Sequence, residues 1–362
     1  MRIGVPREIK TLEARVGLTP GAAATLVHAG HQVIVETGAG AGIDIADDVY
    51  RAAGASIAAD AAQVFGEAEM IVKVKEPQAQ EIAMLRADHL LFTYLHLAPD
   101  PDQAKGLMAS GATCIAYETV TDREGGLPLL APMSQVAGRM ATQVGAHYLL
   151  KPEGGRGLLL GGVPGVKAGR VVILGGGVSG AHAAEMAVGL RAHVTLFDIN
   201  AGRLEALDRQ FAGRVETLVS TPDAIADALA EADLVLGCVL VPGAAAPKLV
   251  RREHLKTMKR GAVMVDVAID QGGCFETSHP TTHAEPTFVV DDVIHYCVAN
   301  MPGAAPLTAT YALNAVTSPY VLALANKGAD KAMADDPGLA NGLNVRDGRI
   351  IHPAVKAALG FG

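Results

Sequence analysis

Two doubly wound α/β domains are predicted for this chain of 362 residues, on three observations. Short aliphatic, β-branched runs recur with helical stretches between them, which is the βα repeat of a parallel sheet. Half of the residues are hydrophobic, yet only 4% are aromatic and none is Trp. Cores of Val, Ile, Leu and Ala suit parallel strands buried on both faces. The third observation is the segment VVILGGGVSG at 171–180, an apolar strand running into Gly-x-Gly-x-x-Gly at Gly175, Gly177 and Gly180.

The first set of strand-like runs covers residues 3–5, 32–36, 70–74, 90–96 and 113–118, with helical patterns such as 20–29 and 98–110 crossing between them. A first sheet within residues 1 to about 128 follows. A mixed polar and apolar stretch at 131–151 suits a long helix that joins the two sets. The second set comprises residues 171–174, 193–197, 234–239, 263–269 and 294–298. Beyond it a helical pattern covers 311–326, and in the polar tail only 349–351 reads as a strand, so the tail packs back on either domain. Residues 293–326 carry no Asp, Glu, Lys or Arg, but Pro302, Pro306, Pro319, Asn300, Asn314 and His295 mark them as interior structure rather than a membrane span.

The glycine motif has a mechanical meaning. Its first glycine allows a tight turn, its second lets backbone N–H groups approach a pyrophosphate, and its third lets helix and strand pack closely. A helical pattern follows at 178–190, and the next strand ends in Asp198, 18 residues after Gly180, where a dinucleotide site places the carboxylate that binds a ribose 2′-hydroxyl. Asp198 repels a 2′-phosphate and favours NAD over NADP. Arg203, five residues on, offers a charge that would accommodate that phosphate.

Ligands of open α/β sheets bind beyond the carboxyl ends of the strands. Arg15 lies in the loop after the first strand, Lys75 ends the run at 70–74, His96 that at 90–96 and Glu118 that at 113–118; Asp270 occupies the same place in the second domain. If the two domains face each other with those edges, the groups converge in an active-site cleft near the nicotinamide of a bound dinucleotide. Plainer readings exist for each. A loop arginine is ordinarily a solvated charge, and Lys73 and Lys75 share a face by strand alternation, so spacing does not choose between them. His96 would also serve as a core histidine beside Tyr94, Asp270 as a cap of the loop leading to Gly272 and Gly273, and Glu118 as a partner of either lysine. As a set they suit hydride transfer at a carbon bearing a carboxylate. A guanidinium clamps the carboxylate, an ammonium polarises a carbonyl oxygen, and an imidazole moves protons.

A net charge of −8, without a Lys/Arg block or an aromatic ladder among basic residues, argues against nucleic acid as a partner. Cys114, Cys238, Cys274 and Cys297 are scattered, which argues against a disulfide framework or a zinc site. The first residues, MRIGVPRE, carry no apolar signal region, so a cytoplasmic location is expected.

The segments GVPREIK at 4–10, RVGLTP at 15–20, VKVKEP at 72–77, FTYLHL at 92–97, LAPMS at 130–134, DVAIDQGG at 266–273 and VANMPG at 298–303 are together highly specific. In them the chain resembles the alanine dehydrogenase family along nearly its whole length. The resemblance implies reversible, NAD-dependent oxidative deamination of L-alanine to pyruvate and ammonium, in a subunit that usually forms a homohexamer. It also implies a Rossmann-like substrate domain of residues 1–128 and 308–362 around a Rossmann NAD-binding domain of residues 129–307.

By the same resemblance Arg15 and Lys75 hold the substrate carboxylate and carbonyl oxygen, which resolves the choice between Lys73 and Lys75. His96 is then the acid/base for the carbinolamine and imine steps, and Asp270 a second one near the nicotinamide. Ser134, Gly175, Gly177, Val178, Ser179, Gly180, Asp198, Arg203, Ser220, Val239, Leu240, Ile269, Asp270, Val298, Asn300 and Met301 are the expected cofactor-binding positions. Tyr94, Leu130 and Met133 would crowd the methyl side of the substrate. Some relatives hold a metal through a Glu and a His on the late helix; Ala323 and Lys327 stand at those positions, so no metal is expected. Two other readings compete: the nucleotide-binding component of a proton-translocating transhydrogenase, not expected to carry a His at position 96, and an NAD-binding protein without catalysis.

Overall fold

The structure, a computed structural model, describes residues 1–239 and 246–360. It divides into two compact units, one of Met1–Met133 with Ala305–Gly362 and one of Ser134–Ala304. The first unit opens with β1 (Arg2–Val5), β2 (Gln32–Glu36), β3 (Ser56–Ala58), β4 (Met70–Val72), β5 (Leu90–Thr93) and β6 (Thr113–Ala116). The second contains β7 (Arg170–Leu174), β8 (His193–Asp198), β9 (Val215–Val219), β10 (Leu234–Gly237), β11 (Val263–Asp266), β12 (Thr287–Val290) and β13 (Val293–Tyr296). The chain then returns to the first unit with β14 (Leu343–Arg346) and β15 (Arg349–Ile350).

Both sheets are doubly wound. The first has the order β15-β14-β6-β5-β4-β1-β2-β3 and the second β12-β13-β11-β10-β7-β8-β9. In each, six parallel strands are extended at one edge by antiparallel pairing, of β14 with β6 and of β12 with β13. The winding reverses between β1 and β4 in one unit and between β7 and β10 in the other, which opens a crevice at the carboxyl edge of each. The central strands are aliphatic and fully buried, as strands covered on both faces must be.

Several predicted strands are shorter in the structure. Those at 70–74, 90–96 and 113–118 stop at Val72, Thr93 and Ala116, and those at 234–239 and 263–269 stop at Gly237 and Asp266. Past three of these ends the backbone donors turn to side-chain carboxylates: Val74 N–H to Glu8, His96 N–H to Glu118 and Ala268 N–H to Asp266. The helix expected at 98–110 starts at Pro101, where Asp100 caps the Gln103 N–H and proline occupies the first turn. Strands β3, β9 and β12 have no counterpart in the sequence reading. All lie at or beside an edge, where burial is partial and the hydrophobic signal weak.

The tail belongs to the first unit. A helix at Pro306–Asp335, longer than the expected 311–326 and broken at Gly328 (φ 72°), ties the loop after β1 to itself. Asn314 accepts from the Thr19 N–H at 2.8 Å and donates to the Gly17 carbonyl, and the Thr310 hydroxyl accepts from the Val16 N–H. The tail was expected to hold a single strand at 349–351; it holds two. β14, whose register on β6 shifts between Leu343 and Val345, was masked by its Asn and Arg.

His295 of β13 is fully buried, with Nδ1 donating to the Val293 carbonyl at 3.1 Å, Nε2 2.7 Å from the Thr277 hydroxyl and the Phe288 ring stacked at 4.9 Å. Burial pushes its pKa from 6.5 down to about 4. The unfolded chain therefore takes up this proton before the folded one does, and stability present above pH 6.5 is lost as pH falls toward 4. Unfolding in denaturant across that range is expected to show a loss of up to about 3 kcal/mol, and His295→Gln is expected to remove it. An unchanged pH slope in the variant would contradict the assignment.

Candidate active site

In the first unit the loop after β1 lies against the end of β4. A Cβ at Gly17 would sit 2.5 Å from the Val72 carbonyl oxygen, so only glycine allows that approach. The loop carries Arg15, 2% exposed. Its Nε donates to Glu13 Oε1 at 2.7 Å, Nη2 to Oε2 at 2.5 Å, and Nη1 lies 3.1 Å from the Met133 sulfur. Burial works against the charge, but Glu13 outweighs it and the guanidinium holds its proton more tightly than usual. A guanidinium has two bidentate edges, and Glu13 takes the one bearing Nε.

Past β4 the two candidate lysines have different surroundings. The Lys73 ammonium is fully buried, 3.1 Å from Glu8 and 2.6 Å from Glu81. Lys75 lies nearer the surface, 3.1 Å from Glu76. Burial would raise the Glu76 carboxyl, but Lys75 and Lys10 bring it down to about 2. Glu8 reaches across to accept from the backbone of Val74 at 2.7 Å and of Lys75 at 3.3 Å.

His96 follows β5 with a left-handed backbone (φ 48°) and an exposed side chain. Its ring lies parallel to that of Tyr94, 5.6 Å away, and the buried Tyr94 hydroxyl donates to the Leu129 carbonyl at 2.6 Å. Glu118, for which the plainer reading is a lysine partner, instead accepts from the His96 N–H at 2.6 Å and stands 4.0 Å from Nδ1. Both lysines have other carboxylates. Met133 is buried and Leu130 half-buried on this side of the unit.

In the second unit the strand–glycine–helix motif forms as its spacing predicts. Gly180 packs so tightly that a Cβ there would lie 1.8 Å from the Gly175 carbonyl oxygen, whereas a Cβ at Gly177 would meet no protein atom. The glycine at 177 is thus not required by packing; it leaves a cradle at the start of the helix Val178–Gly189, where first-turn N–H groups point outward and favour an anion. These residues fit a dinucleotide pyrophosphate. Val178 is exposed and Ser179 half-buried in that first turn.

Asp198 ends β8 with Oδ2 accepting from the Gly176 N–H at 2.7 Å and Oδ1 from Asn200 at 2.8 Å. Arg203 Nε donates to the Gly176 carbonyl at 2.5 Å, so this cation is drawn onto the glycine loop. The Ser220 N–H bonds the Asp198 carbonyl. Ser134 lies in the helix Ala131–Tyr148, which is fastened to the glycine helix by Thr142 on the Ala183 carbonyl and Arg139 on Glu185. Val239 follows β10, and Leu240 lies outside the described residues.

Asp270 is exposed on the short turn Ile269–Gln271. The turn hangs from Asp266, a fully buried carboxylate that accepts from the Ser278 hydroxyl at 2.6 Å and from the backbone of Ala268, Cys274 and Phe275. Burial raises its pKa against these bonds. Ile269, Val298 and Met301 are core side chains, and Asn300 between the last two has a left-handed backbone (φ 59°).

The sequence reading gave no role to Glu8, Glu13 or Asp266. Their signal is position: Glu8 and Glu13 are acids in the loop after β1 that carries Arg15, and Asp266 ends β11 four residues before Asp270. Lys73 and Lys75 are told apart by stability. Lys73→Met leaves Glu8 and Glu81 buried without their cation and is expected to lower unfolding free energy by about 3–5 kcal/mol, whereas Lys75→Met is expected to cost much less. Equal losses in denaturant unfolding would contradict the difference in role.

The profile described as "Alanine dehydrogenase/PNT, N-terminal domain" matches residues 4–137, and that of its C-terminal domain residues 141–353. The alanine dehydrogenase of Halomonas elongata is 60% identical over 361 residues, covering 100% of this chain and 97% of that protein. A solved L-alanine dehydrogenase superposes with a TM-score of 0.96 at 55% identity, covering 100% of this chain and 99% of that one. A transhydrogenase from Sinorhizobium meliloti superposes less well, with a TM-score of 0.80 at 26% identity, covering 98% of this chain and 100% of its own. Matched from end to end in sequence and in fold, the chain belongs to the alanine dehydrogenase family.

Proposed function

We propose that the protein catalyses the reversible oxidative deamination of L-alanine to pyruvate and ammonium with NAD. The observation that carries this reading is the set Arg15, Lys75 and His96 at the carboxyl ends of the neighbouring strands β1, β4 and β5, on a chain 60% identical to an alanine dehydrogenase. Cytoplasmic location and a homohexamer rest on family membership alone. No helix among the described residues is long and apolar enough to cross a membrane.

Each residue has one task. The Arg15 edge formed by Nη1 and Nη2 receives the substrate carboxylate while Glu13 keeps the Nε edge, which fixes the plane of the guanidinium before substrate arrives. The Lys75 ammonium donates to the oxygen of the keto acid and of the carbinolamine that precedes it. A nicotinamide cofactor, when bound, accepts hydride from Cα of alanine. Alanine reacts as its free amine, so hydride loss leaves an iminium. Water adds to it as one water proton passes to His96, and His96 returns that proton to the carbinolamine nitrogen. Ammonia leaves as the carbinolamine hydroxyl proton passes back to His96, giving pyruvate. Asp270 is the second proton-handling group.

For the cofactor, the glycine cradle takes the pyrophosphate and Asp198 the ribose hydroxyls. Asp198 repels a 2′-phosphate, which supports NAD over NADP, and the Arg203 charge beside it is engaged by the Gly176 carbonyl.

The purified chain is expected to reduce NAD in the presence of L-alanine, read from the absorbance of the reduced nicotinamide. His96→Ala is expected to reduce turnover by about 100-fold or more with NAD binding intact. Binding without turnover in the unaltered chain would favour a transhydrogenase component or a nucleotide-binding protein. Asp198→Gly is expected to weaken NAD and relax the rejection of NADP, because the carboxylate is lost from both ribose and glycine loop; an unchanged preference would sink the ribose role.

A further inference from the structure

Glu118 lies in the turn Tyr117–Thr119 directly after β6, three strands along the sheet from β1. Its carboxylate accepts from the Leu95 N–H at 3.1 and 3.2 Å and from the His96 N–H at 2.6 Å. Past β5 the ladder has ended, so these bonds are what satisfy the two donors. They also hold His96 at φ 48°, a conformation a histidine adopts only at a cost unless its surroundings fix it.

The turn itself is braced by the tail. The Ala116 N–H donates to the Gly342 carbonyl at 2.7 Å, Asn344 Nδ2 to the Thr119 hydroxyl at 2.7 Å, and Asn341 Nδ2 to the Thr121 hydroxyl at 2.8 Å. A residue that met only solvent needs no such bracing.

We propose that Glu118 is a positioning residue for His96: it sets the backbone that aims the imidazole, and its charge, 4.0 Å from Nδ1, stabilises the imidazolium. The effect on turnover rests on the acid/base reading of His96 above, but the effect on the imidazole itself does not. Other ionisable groups lie around this corner. The Tyr94 phenol covers one ring face and is held neutral by burial. The charge of Arg15, itself paired with Glu13, acts on the Tyr94 phenol against that burial. From the tail, His352 senses the Glu118 charge, though burial pulls its own pKa down.

The test uses the full chain with Glu118→Gln and Glu118→Ala, and follows the His96 imidazole by NMR titration, assigned by its loss in His96→Asn. Glu118→Gln keeps an acceptor but no charge, and is expected to lower the imidazole midpoint by about one pH unit. Glu118→Ala removes both and is expected to lower kcat by about 100-fold while the affinity for NAD changes by less than about twofold, with Glu118→Gln restoring most of the loss. An unmoved midpoint in Glu118→Gln overturns the proposal even where Glu118→Ala fails to fold, and so does equal damage by both variants to turnover and to NAD binding. A midpoint that falls while turnover ignores it keeps Glu118 as the positioning residue and instead removes His96 from the acid/base role.

Discussion

Backbone donors that run past the last bond of a parallel ladder must find acceptors, because an unpaired buried N–H costs about 1–3 kcal/mol. In this chain side-chain carboxylates supply them. Glu8 receives the backbone of Val74 and Lys75, Glu118 that of Leu95 and His96, Asp198 that of Gly176, and Asp266 that of Ala268, Cys274 and Phe275. The segments so held carry the two strand-end candidates Lys75 and His96, the phosphate cradle and the Asp270 turn. Acids at or just past strand ends therefore fix the backbone that carries these candidate residues.

Buried charge of this kind is stable only when paired. Lys73 lies between Glu8 and Glu81, and Arg15 is clamped to Glu13, so the crevice of the first sheet is lined by ions that neutralise one another before any ligand arrives. The arrangement separates two lysines that look alike in sequence. Lys73 is committed to the fold, and Lys75, the lysine proposed to meet substrate, lies nearer the surface. It also gives Arg15 a fixed plane, since one edge is already bonded.

Much of the fold was legible because it rests on local chemistry. The glycines at 175, 177 and 180 and the acid at 198 act within one βαβ unit, and the central strands announce themselves by unbroken aliphatic runs. What sequence spacing left open was non-local. The bond of Asn314 to Thr19 joins residues 295 apart and fastens the tail to the first unit. β14 pairs with β6 through an irregular register that its own residues do not signal. Glu8 carries no signal of its own, and Glu118 reads as a strand-end candidate or a lysine partner, until the strands that end beside them are placed. Strand lengths were overestimated because the apolar character continues past the strand ends; at three of the five a side-chain carboxylate has by then taken over a backbone donor.

The account turns on those carboxylate-held amides, and residue-resolved hydrogen exchange tests it most directly. Val74, His96, Gly176 and Cys274 are expected to exchange nearly as slowly as ladder amides such as Ile71 and Leu91, although none of the four lies in a strand. Exchange at the rate of open loops would show that the acids do not hold these segments, and the link between strand ends and site would fail.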